Sequence, residues 1–325
     1  MSAERTIRKP SGKPSWPIIL LAGMPKAGKT YAAAQASASD EIGRTFWIGI
    51  GELDPNEYGA IPGADFEIVD HDGTYRDILA ATSWAAQQPV TGHPNLIVVD
   101  SGSRLWDLLS DMAQREANTR AATKARKSNR PVSDEDARIA MDLWNTAAQR
   151  WAHVMDALRA HNGPSIITSR MEETAVVDER GEPTKDRVWK VKAHKSLPYE
   201  AQVVVEMRSR GDVWLSGVQS LRWQRSEPAQ YPGEFTVVDL WTKLGVLDKD
   251  ATSPRSHAVL DAEDRPTVEA DAARAELLTL CEQNNWPPTE VAAAFLEGSG
   301  GIKLTEATAP EVRDYMAHLT AERAA

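Results

Sequence analysis

The sequence predicts an α/β fold: a mainly parallel sheet with helices on both faces, antiparallel additions to that sheet, and a small C-terminal helical domain. Three observations predict it. Short apolar runs alternate with helical patterns as far as Thr168, apolar runs separated by glycines follow from Ala175, and helical patterns alone fill the last part of the chain. The alternation is typical of parallel sheets, and the glycine-separated runs are typical of hairpins.

Five apolar runs in the first part of the chain are predicted strands, because each is short and bounded by polar or turn-forming residues. They are Ile18–Ala22, Thr45–Ile50, Phe66–Val69, Leu96–Asp100 and Ser165–Thr168. Four further predicted strands are Val188–Val191, Gln202–Met207, Val213–Leu215 and Phe235–Leu240. Gly181, Gly211 and Gly233 separate the later segments, so we expect hairpins there.

The chain is predicted to have four segments. Residues 1–15 are polar, basic and rich in proline, which is typical of a flexible arm. The core spans residues 16–250, and a linker rich in Asp, Ser and Pro spans residues 251–267. A small helical domain covers residues 268–325, and either recruits a partner, handles DNA or only stabilises the chain. Its predicted helices are Glu269–Asn284, Thr289–Glu297 and Pro310–Glu322, the last with a capping box from Thr308 to Glu311.

The composition limits the function classes. The net charge of the 325 residues is −10, so any contact with nucleic acid must come from local basic patches. The single cysteine, Cys281, excludes an intrachain disulfide and suits a reducing compartment. No segment approaches the roughly 18 consecutive apolar residues of a membrane span, and no signal-peptide pattern is present. We expect a cytoplasmic protein with no membrane segment.

The segment GMPKAGKT, Gly23 to Thr30, fits the phosphate-binding pattern G-x-x-x-x-G-K-[ST]. It follows the first predicted strand and opens an alanine-rich helical pattern, which is the context in which this motif indicates nucleotide binding. Glycines let the backbone N–H groups point at phosphate oxygens, and the helix adds its positive N-terminal end. The expected nucleotide-binding residues are Gly23, Met24, Pro25, Lys26, Ala27, Gly28, Lys29, Thr30 and Tyr31.

Individual side chains of this motif have expected partners. Lys29 is placed to reach the β and γ phosphates, and Thr30 offers a hydroxyl to a magnesium ion. The strand Leu96–Asp100 ends in a carboxylate at the carboxyl edge of the predicted sheet. Asp100 is therefore expected to hold Mg²⁺, directly or through water. The predicted cofactors are ATP and Mg²⁺.

The spacing from GMPKAGKT to LIVVDS, with GELDP between them, resembles the ATPase core of RecA-type recombinases. More narrowly, GMPKAGKT and KAHKSLPYEAQVVVEM resemble phage-encoded RecA-like ATPases that act as single-strand annealing or recombination proteins. The resemblance covers Trp16 to Gly245 and implies a RecA-like P-loop NTPase core. It also implies DNA-dependent ATP hydrolysis, single-stranded DNA as partner, and a homo-oligomer in the cytoplasm, that of the host if the protein is phage-encoded.

The resemblance implies further site residues. An acid after the second strand polarises the attacking water in that family, and Glu52 stands there, with Asp54 and Glu57 as rivals. A polar residue ending the strand after the metal-binding one senses the γ-phosphate. Here that strand ends in Ser169 and Arg170, where the family usually has glutamine, so this position departs from the pattern. The expected catalytic residues are Lys29, Glu52 and Ser169.

Cations supplied by a neighbouring subunit often stabilise the γ-phosphate in that family. The candidates lie in the second half of the core, and the sequence does not choose among them. They are Lys195, Arg208 and Arg222.

Two basic patches are candidates for DNA binding. Residues 113–130 contain six basic residues against one acid, at the place of the family's first DNA-binding loop; a solvated charged loop is the alternative. In residues 187–195 a strand places Lys190, Lys192 and His194 on one face and Trp189 on the other. Trp189 is either a stacking surface or, in a chain with eleven tryptophans, an ordinary core residue. The DNA-binding candidates are Arg120, Lys124, Arg126, Lys127, Arg130, Arg170, Lys190 and Lys192, with Arg115 in the same basic stretch.

We therefore expect an ATPase that binds single-stranded DNA and promotes annealing or strand exchange under the control of ATP. Two other classes stay open. One is a small-molecule kinase in which residues 115–130 form an arginine-bearing lid. The other is a nucleotide-gated switch whose C-terminal helices recruit a protein partner.

Overall fold

The structure is a computed structural model that describes residues 9–52, 54–133, 135–177, 182–224, 228–247, 252, 255, 265–284, 286–298, 303–305, 307 and 309–323. The chain divides into two compact units, residues 1–257 and 258–325. Residues 1–8 of the predicted arm, most of the predicted linker, and the hairpin glycine Gly181 lie outside the described residues, as does Thr308 of the capping box.

The described part of the first unit contains a nine-stranded sheet. Its strands are β1 (Ile18–Gly23), β2 (Thr45–Gly49), β3 (Glu67–Ile68), β4 (Leu96–Asp100), β5 (Ser165–Val177), β6 (Pro183–Lys192), β7 (Val203–Ser209), β8 (Asp212–Val218) and β9 (Ala229–Gln230). The spatial order is β3-β2-β4-β5-β1-β7-β8-β9, with β6 paired to β5 outside this path. Pairs among β1, β2, β3, β4, β5 and β7 are parallel, whereas β6, β8 and β9 pair antiparallel. The predicted α/β class, mainly parallel with antiparallel additions, is confirmed.

The strand order fixes where the ends of the strands meet. β5 lies between β1 and β4, with Ser165 opposite both Ile18 and Ile97. Because all three strands run in the same direction, their carboxyl ends reach one edge of the sheet. The residues that follow β1, β4 and the parallel part of β5 are therefore neighbours.

Six helices and one 3₁₀ helix complete the described part of this unit. They are α1 (Lys29–Ala36), the 3₁₀ helix Pro55–Ala60, α2 (Tyr75–Ala86), α3 (Gly102–Lys127), α4 (Met141–Ala160), α5 (Leu197–Glu200) and α6 (Val237–Leu244). None of the helices in the described ranges is long and apolar enough to cross a membrane.

The core has two layers, one on each face of the sheet. On one face Ile19 and Leu21 of β1 pack in a cluster with α1 and α6, which contributes Trp241. On the other face Ile18 and Leu20 pack in a cluster with α2, α3 and α4. Because β1 is buried on both faces, its sequence is continuously apolar instead of alternating, as expected for a central parallel strand.

Two sequence predictions of local structure are wrong. Phe235–Leu240 was expected to form a strand, but α6 begins at Val237, and Thr236 caps it by accepting from the Asp239 N–H (3.0 Å). The basic stretch expected to be a loop is helical as far as Lys127, because Ala113 and Ala117 bury one side of α3. In both cases a capping residue or a small apolar residue decides the helix.

The second unit contains three helices within its described residues. They are α7 (Arg265–Gln283), α8 (Pro288–Gly298) and α9 (Ala309–Arg323), close to the predicted ranges. Their buried side chains include Leu277, Cys281, Phe295 and Val312, which form one cluster. Burial of Cys281 makes it a small apolar core residue.

His161 is a buried imidazole at the end of α4, and its Nε2–H donates to the Asn95 carbonyl (2.8 Å). Burial, with a further contribution from the nearby Arg255 guanidinium, lowers the pKa of His161 to about 4. The Arg255 guanidinium itself donates to the carbonyl oxygens of Trp16 (2.6 Å) and Gly163 (2.9 Å). The folded chain therefore holds His161 neutral at neutral pH.

We expect the free energy of unfolding to decrease as the pH is lowered, because of His161. The unfolded chain binds a proton here below about pH 6.5, whereas the folded chain binds it only near pH 4, so about 3 kcal/mol is lost across this window. His161→Gln keeps a side-chain N–H and removes the titration. Urea denaturation near pH 7 and near pH 4.5 measures the difference, and the variant should lose less stability than the wild type.

His93→Gln is the matched control, since His93 is an exposed imidazole whose side chain is 50% accessible. It should keep the pH dependence of the wild type. Equal pH dependence in the wild type and in His161→Gln would contradict the assignment.

Candidate nucleotide-binding site

The turn after β1 is held close to β7. The Met24 N–H donates to the Met207 carbonyl oxygen (3.1 Å), and a Cβ placed on Gly23 would lie 2.3 Å from that oxygen. Only glycine fits this close approach. Gly28, immediately before α1, has φ 101°, which glycine adopts without strain. Glycine is therefore required at the two positions for different reasons: close contact with β7 at Gly23 and a positive φ at Gly28.

The groups of this loop fit a phosphate chain. The N–H groups of Gly28, Lys29 and Thr30 donate to no other group within the described residues. Such open donors at a helix N-terminus bind anions. The Lys29 Nζ donates to the carbonyl oxygens of Gly23 (3.1 Å) and Met24 (2.8 Å), so it lies inside the curve of the loop. Burial lowers the pKa of Lys29, although Asp100 and Glu52 oppose this shift.

Asp100 ends β4 and is buried beside the loop. It accepts hydrogen bonds from the Thr168 hydroxyl of β5 and the Thr30 hydroxyl of α1. Burial raises the pKa of Asp100, while these two hydrogen bonds lower it. The sheet thus brings together the two side chains expected to hold Mg²⁺, Thr30 and Asp100.

The donor set fits magnesium that is shared with a phosphate chain. No cluster of three or more His, Cys, Asp or Glu side chains occurs in the described ranges, so a cage made only of protein ligands is absent there. One hydroxyl and one carboxylate are the usual protein contribution where substrate phosphates and water complete the octahedron.

Glu52 follows β2, the strand paired with β4, and its carboxylate forms an ion pair with Arg170. Its two oxygens accept from Arg170 Nε (2.9 Å) and Nη2 (2.8 Å), and Oε1 also accepts from the Ser101 hydroxyl (2.7 Å). Burial raises the pKa of Glu52, but the hydrogen bonds from Arg170 and Ser101 outweigh it and the net shift is downward. Glu52 is therefore an ionised carboxylate with a fixed orientation.

The two rival acids lie elsewhere. The Asp54 carboxylate accepts from the Asn56 N–H (2.9 Å) and caps the 3₁₀ helix. Glu57 is exposed in the first turn of that helix. Of the three acids, Glu52 is the one whose charge interacts with Lys29.

Ser169 and Arg170 face different surroundings. The Ser169 hydroxyl is buried and shares a hydrogen bond with the Ser103 hydroxyl (2.9 Å), and it also donates to the Lys192 carbonyl (3.3 Å). These contacts join β5, α3 and β6, so the expected sensor role of Ser169 has no support from its contacts. The expectation that the strand ends at these residues is wrong, because β5 continues to Val177 in its pairing with β6. Arg170 is the residue here whose side chain binds the Glu52 carboxylate.

The three cation candidates are spread over the unit. Arg208 lies on β7, with Nη2 3.3 Å from the Glu206 carboxylate, in a pocket that Met24 also lines. Lys195 is exposed before α5. Arg222 contacts the Gly245 carbonyl (3.4 Å) and lines a cavity with Pro17, at the edge of the sheet opposite the phosphate loop.

The two basic patches also differ. On α3, Arg120 is paired with Glu116 (2.9 Å) and Asp142 (2.5 Å). The exposed basic residues at the end of this helix and just after it are Lys124, Arg126, Lys127 and Arg130. On β6, Lys190 is exposed opposite Glu172, and Lys192 lies opposite Arg170, with its Nζ 3.6 Å from Asp107.

Sequence reasoning missed three hydroxyl groups of this site: Thr168, Ser101 and Ser103. Each bonds a charged or polar group that the motifs identified, and Ser103 also accepts from the Arg170 N–H (2.8 Å). The available signal was polarity at the end of an apolar strand, since Thr168 ends one such run and Ser101 follows another.

Comparisons with known proteins give one family. The profile of a protein family described as an AAA domain matches residues 17–230, which include Lys29, Glu52, Asp100 and Arg170. No curated protein matches the sequence. Among solved structures, the chain is similar to one described as the crystal structure of the RadB recombinase, with 15% identity and a TM-score of 0.37, covering 63% of this chain and 83% of that chain.

Proposed function

We propose a function from one established premise: the chain belongs to the AAA domain family, and its core has the P-loop NTPase fold. We propose that the protein is a Mg²⁺-dependent ATPase that binds single-stranded DNA and couples its nucleotide state to that binding. Its step in DNA metabolism is annealing or strand exchange.

One observation carries this proposal. β5 passes the ATP site and continues into the exposed hairpin that it forms with β6. Arg170, bound to Glu52, is paired in this hairpin with Lys192. A change at the phosphate end of the site therefore acts on the same strand that carries candidate DNA-binding residues.

Lys29 and the loop N–H groups bind and orient the triphosphate. To reach the phosphates, the Lys29 Nζ exchanges its bonds to the Gly23 and Met24 carbonyls for charge-assisted bonds to phosphate oxygens. Thr30 and Asp100 would hold Mg²⁺, which would supply positive charge to offset the charge of the phosphates.

Glu52 orients the attacking water. As an ionised carboxylate it accepts a hydrogen bond from water, and phosphoryl transfer requires positioning more than a strong base. Arg170 occupies both carboxylate oxygens in this structure. We propose that a γ-phosphate competes for this guanidinium, which frees Glu52 for water and places positive charge on the transferred group.

Several finer points are proposals that the resemblance supports. They include a homo-oligomer on DNA with a cation supplied in trans by Lys195, Arg208 or Arg222, a phage origin, and a cytoplasmic location. A partner role for the C-terminal helices is another. The described geometry does not favour the kinase, because the basic stretch expected as a lid belongs to the regular helix α3 as far as Lys127.

We expect ATP hydrolysis by the purified protein to rise on addition of single-stranded DNA and to lose this stimulation as salt is raised, because counterion release weakens DNA binding. Steady-state phosphate release measures it, with Lys29→Ala as the blank. Removing this ammonium should weaken ATP binding about 30-fold, or about 2 kcal/mol. Hydrolysis that is indifferent to DNA at every salt concentration would contradict the DNA-dependent function.

We expect Glu52→Gln to lower kcat for ATP hydrolysis about 100-fold, since the amide cannot replace the carboxylate that orients water. Affinity for a fluorescent ATP analogue should stay within about threefold, because Glu52 does not hold the phosphates. Glu57→Gln is the matched control and should hydrolyse ATP at the rate of the wild type. A rate unaffected by Glu52→Gln but lowered by Glu57→Gln would move the role to the rival acid.

We expect Lys190→Gln with Lys192→Gln to reduce the salt dependence of DNA binding. Each phosphate contact contributes about 0.7 to the slope of log K against log salt for single strands, so the double variant should lose about 1.4. Anisotropy titrations of a labelled oligothymidylate at several salt concentrations measure this. Arg44→Gln, an exposed charge before β2 at the opposite edge of the sheet, should keep the slope; equal slopes in all three proteins would remove these lysines from the DNA site.

A further inference from the structure

We propose that the pocket between the β5–β6 hairpin and the β7–β8 hairpin binds one unpaired base of single-stranded DNA, stacked on Trp189. The inference rests on the proposed function and deepens it, because it names a site and a recognition chemistry on the face of the hairpin opposite Lys190. We call this cavity the Trp189 pocket.

The Trp189 pocket has a volume of about 940 Å³ and lies directly beside the phosphate loop. Met24 of that loop lines it, as do Met171 of β5, Trp189 of β6 and Arg208 of β7. The volume is at the upper end of the range for small-ligand pockets, so a nucleotide unit fits with room for its backbone to leave.

The Trp189 side chain is available for stacking. Its exposed fraction is 45%, which excludes the core role considered from the sequence. Within the described residues no ring or cation stacks on its indole. In β6 it is paired with Glu173, so a regular strand backbone holds it. An open indole on a rigid strand is the platform on which unpaired bases stack in single-strand binding proteins.

The charges around the indole complement a nucleotide. Arg187, two residues before Trp189, makes no ion pair with the described residues and lines the same cavity. The Arg208 guanidinium lies 4.2 Å from the Trp214 ring centroid and is bonded to Glu206. Arg187 and Arg208 offer donors to phosphate oxygens, and the Glu206 carboxylate offers an acceptor to a base amino group.

Single-stranded DNA is the occupant that this combination favours. In a duplex the faces of the bases are covered by their neighbours, so one indole in a pocket cannot stack on them. An apolar protein segment would bury the Arg187 guanidinium without a partner for its charge. The position beside Met24 also brings the bound base against the loop whose carbonyls hold Lys29, which gives the DNA a direct contact with the ATP site.

The test compares matched tryptophans in the full chain. Binding of a labelled oligothymidylate is measured by anisotropy for the wild type, Trp189→Phe, Trp189→Ala and Trp84→Ala. Trp84 is a good control because its exposed fraction is 47% and it lies on α2. We expect Trp189→Ala to bind about tenfold more weakly, a loss of about 1.4 kcal/mol, because the stacking of one base on the indole is removed. Trp189→Phe should bind within about threefold of the wild type, and Trp84→Ala should bind as the wild type does.

A second readout locates the base. An oligonucleotide that carries 5-iodouracil should cross-link on irradiation to the peptide containing Trp189, and mass spectrometry of the digest identifies it. Cross-links confined to other peptides would overturn the proposal.

The outcomes separate the two proposals. If the wild type binds DNA and Trp189→Ala binds it equally well, the Trp189 pocket is not the DNA site, and the proposed function stands without it. If Trp189→Ala lowers the affinity for a fluorescent ATP analogue and leaves DNA binding unchanged, the pocket holds the base of ATP and the inference is overturned. If the wild type binds no single-stranded DNA at any salt concentration, the proposed function fails and the inference fails with it.

Discussion

The parallel pairing of β5 with both β1 and β4 is the constraint on which the site depends. In that register Leu21 lies beside Thr168, and Val99 lies beside Ile167. The next residue of β4 is Asp100, which therefore meets the Thr168 hydroxyl. A slip of one residue between these strands would turn Asp100 or Thr168 to the opposite face. Continuous apolar burial on both faces of the sheet keeps this register, so the packing of apolar side chains fixes the geometry of the candidate site.

The charges at the carboxyl edge are balanced before any nucleotide arrives. Lys29 and Arg170 face Asp100 and Glu52, and every one of the four has a hydrogen-bond partner inside the protein. In the proposed function, a triphosphate therefore exchanges with existing bonds. Lys29 would leave loop carbonyls and Arg170 would leave a carboxylate, and in both exchanges a cation would move toward added negative charge. The proposal thus couples the loop after β1 and the strand β5 to one binding event.

The sequence predicted the parts of this site that a local pattern specifies. The phosphate loop and Asp100 were predicted from an apolar strand and the residues at its end. Such a pattern is contained in one short segment of about ten residues. The partners of those residues could not be predicted, because Arg170 meets Glu52 only through the order of strands in the sheet. For the same reason the sequence could not predict the hydrogen bond of Ser169, because its partner Ser103 lies on α3. The helix α6 was missed because its apolar residues fit either period over so short a segment.

Trp189 shows that the exposure of a strand residue cannot be predicted from sequence periodicity alone. A strand that alternates in sequence has one buried face only when something packs on that face. The β5–β6 hairpin continues beyond the parallel part of the sheet, and most residues of β6 are exposed. Its indole therefore has no core to join, and the sheet holds it beside Met24. Since Arg170 and Met171 are consecutive residues of β5, the strand that meets Glu52 also lines the Trp189 pocket. If ATP and DNA bind at these two places as proposed and are coupled through β5, linkage requires that each changes the affinity for the other by the same factor.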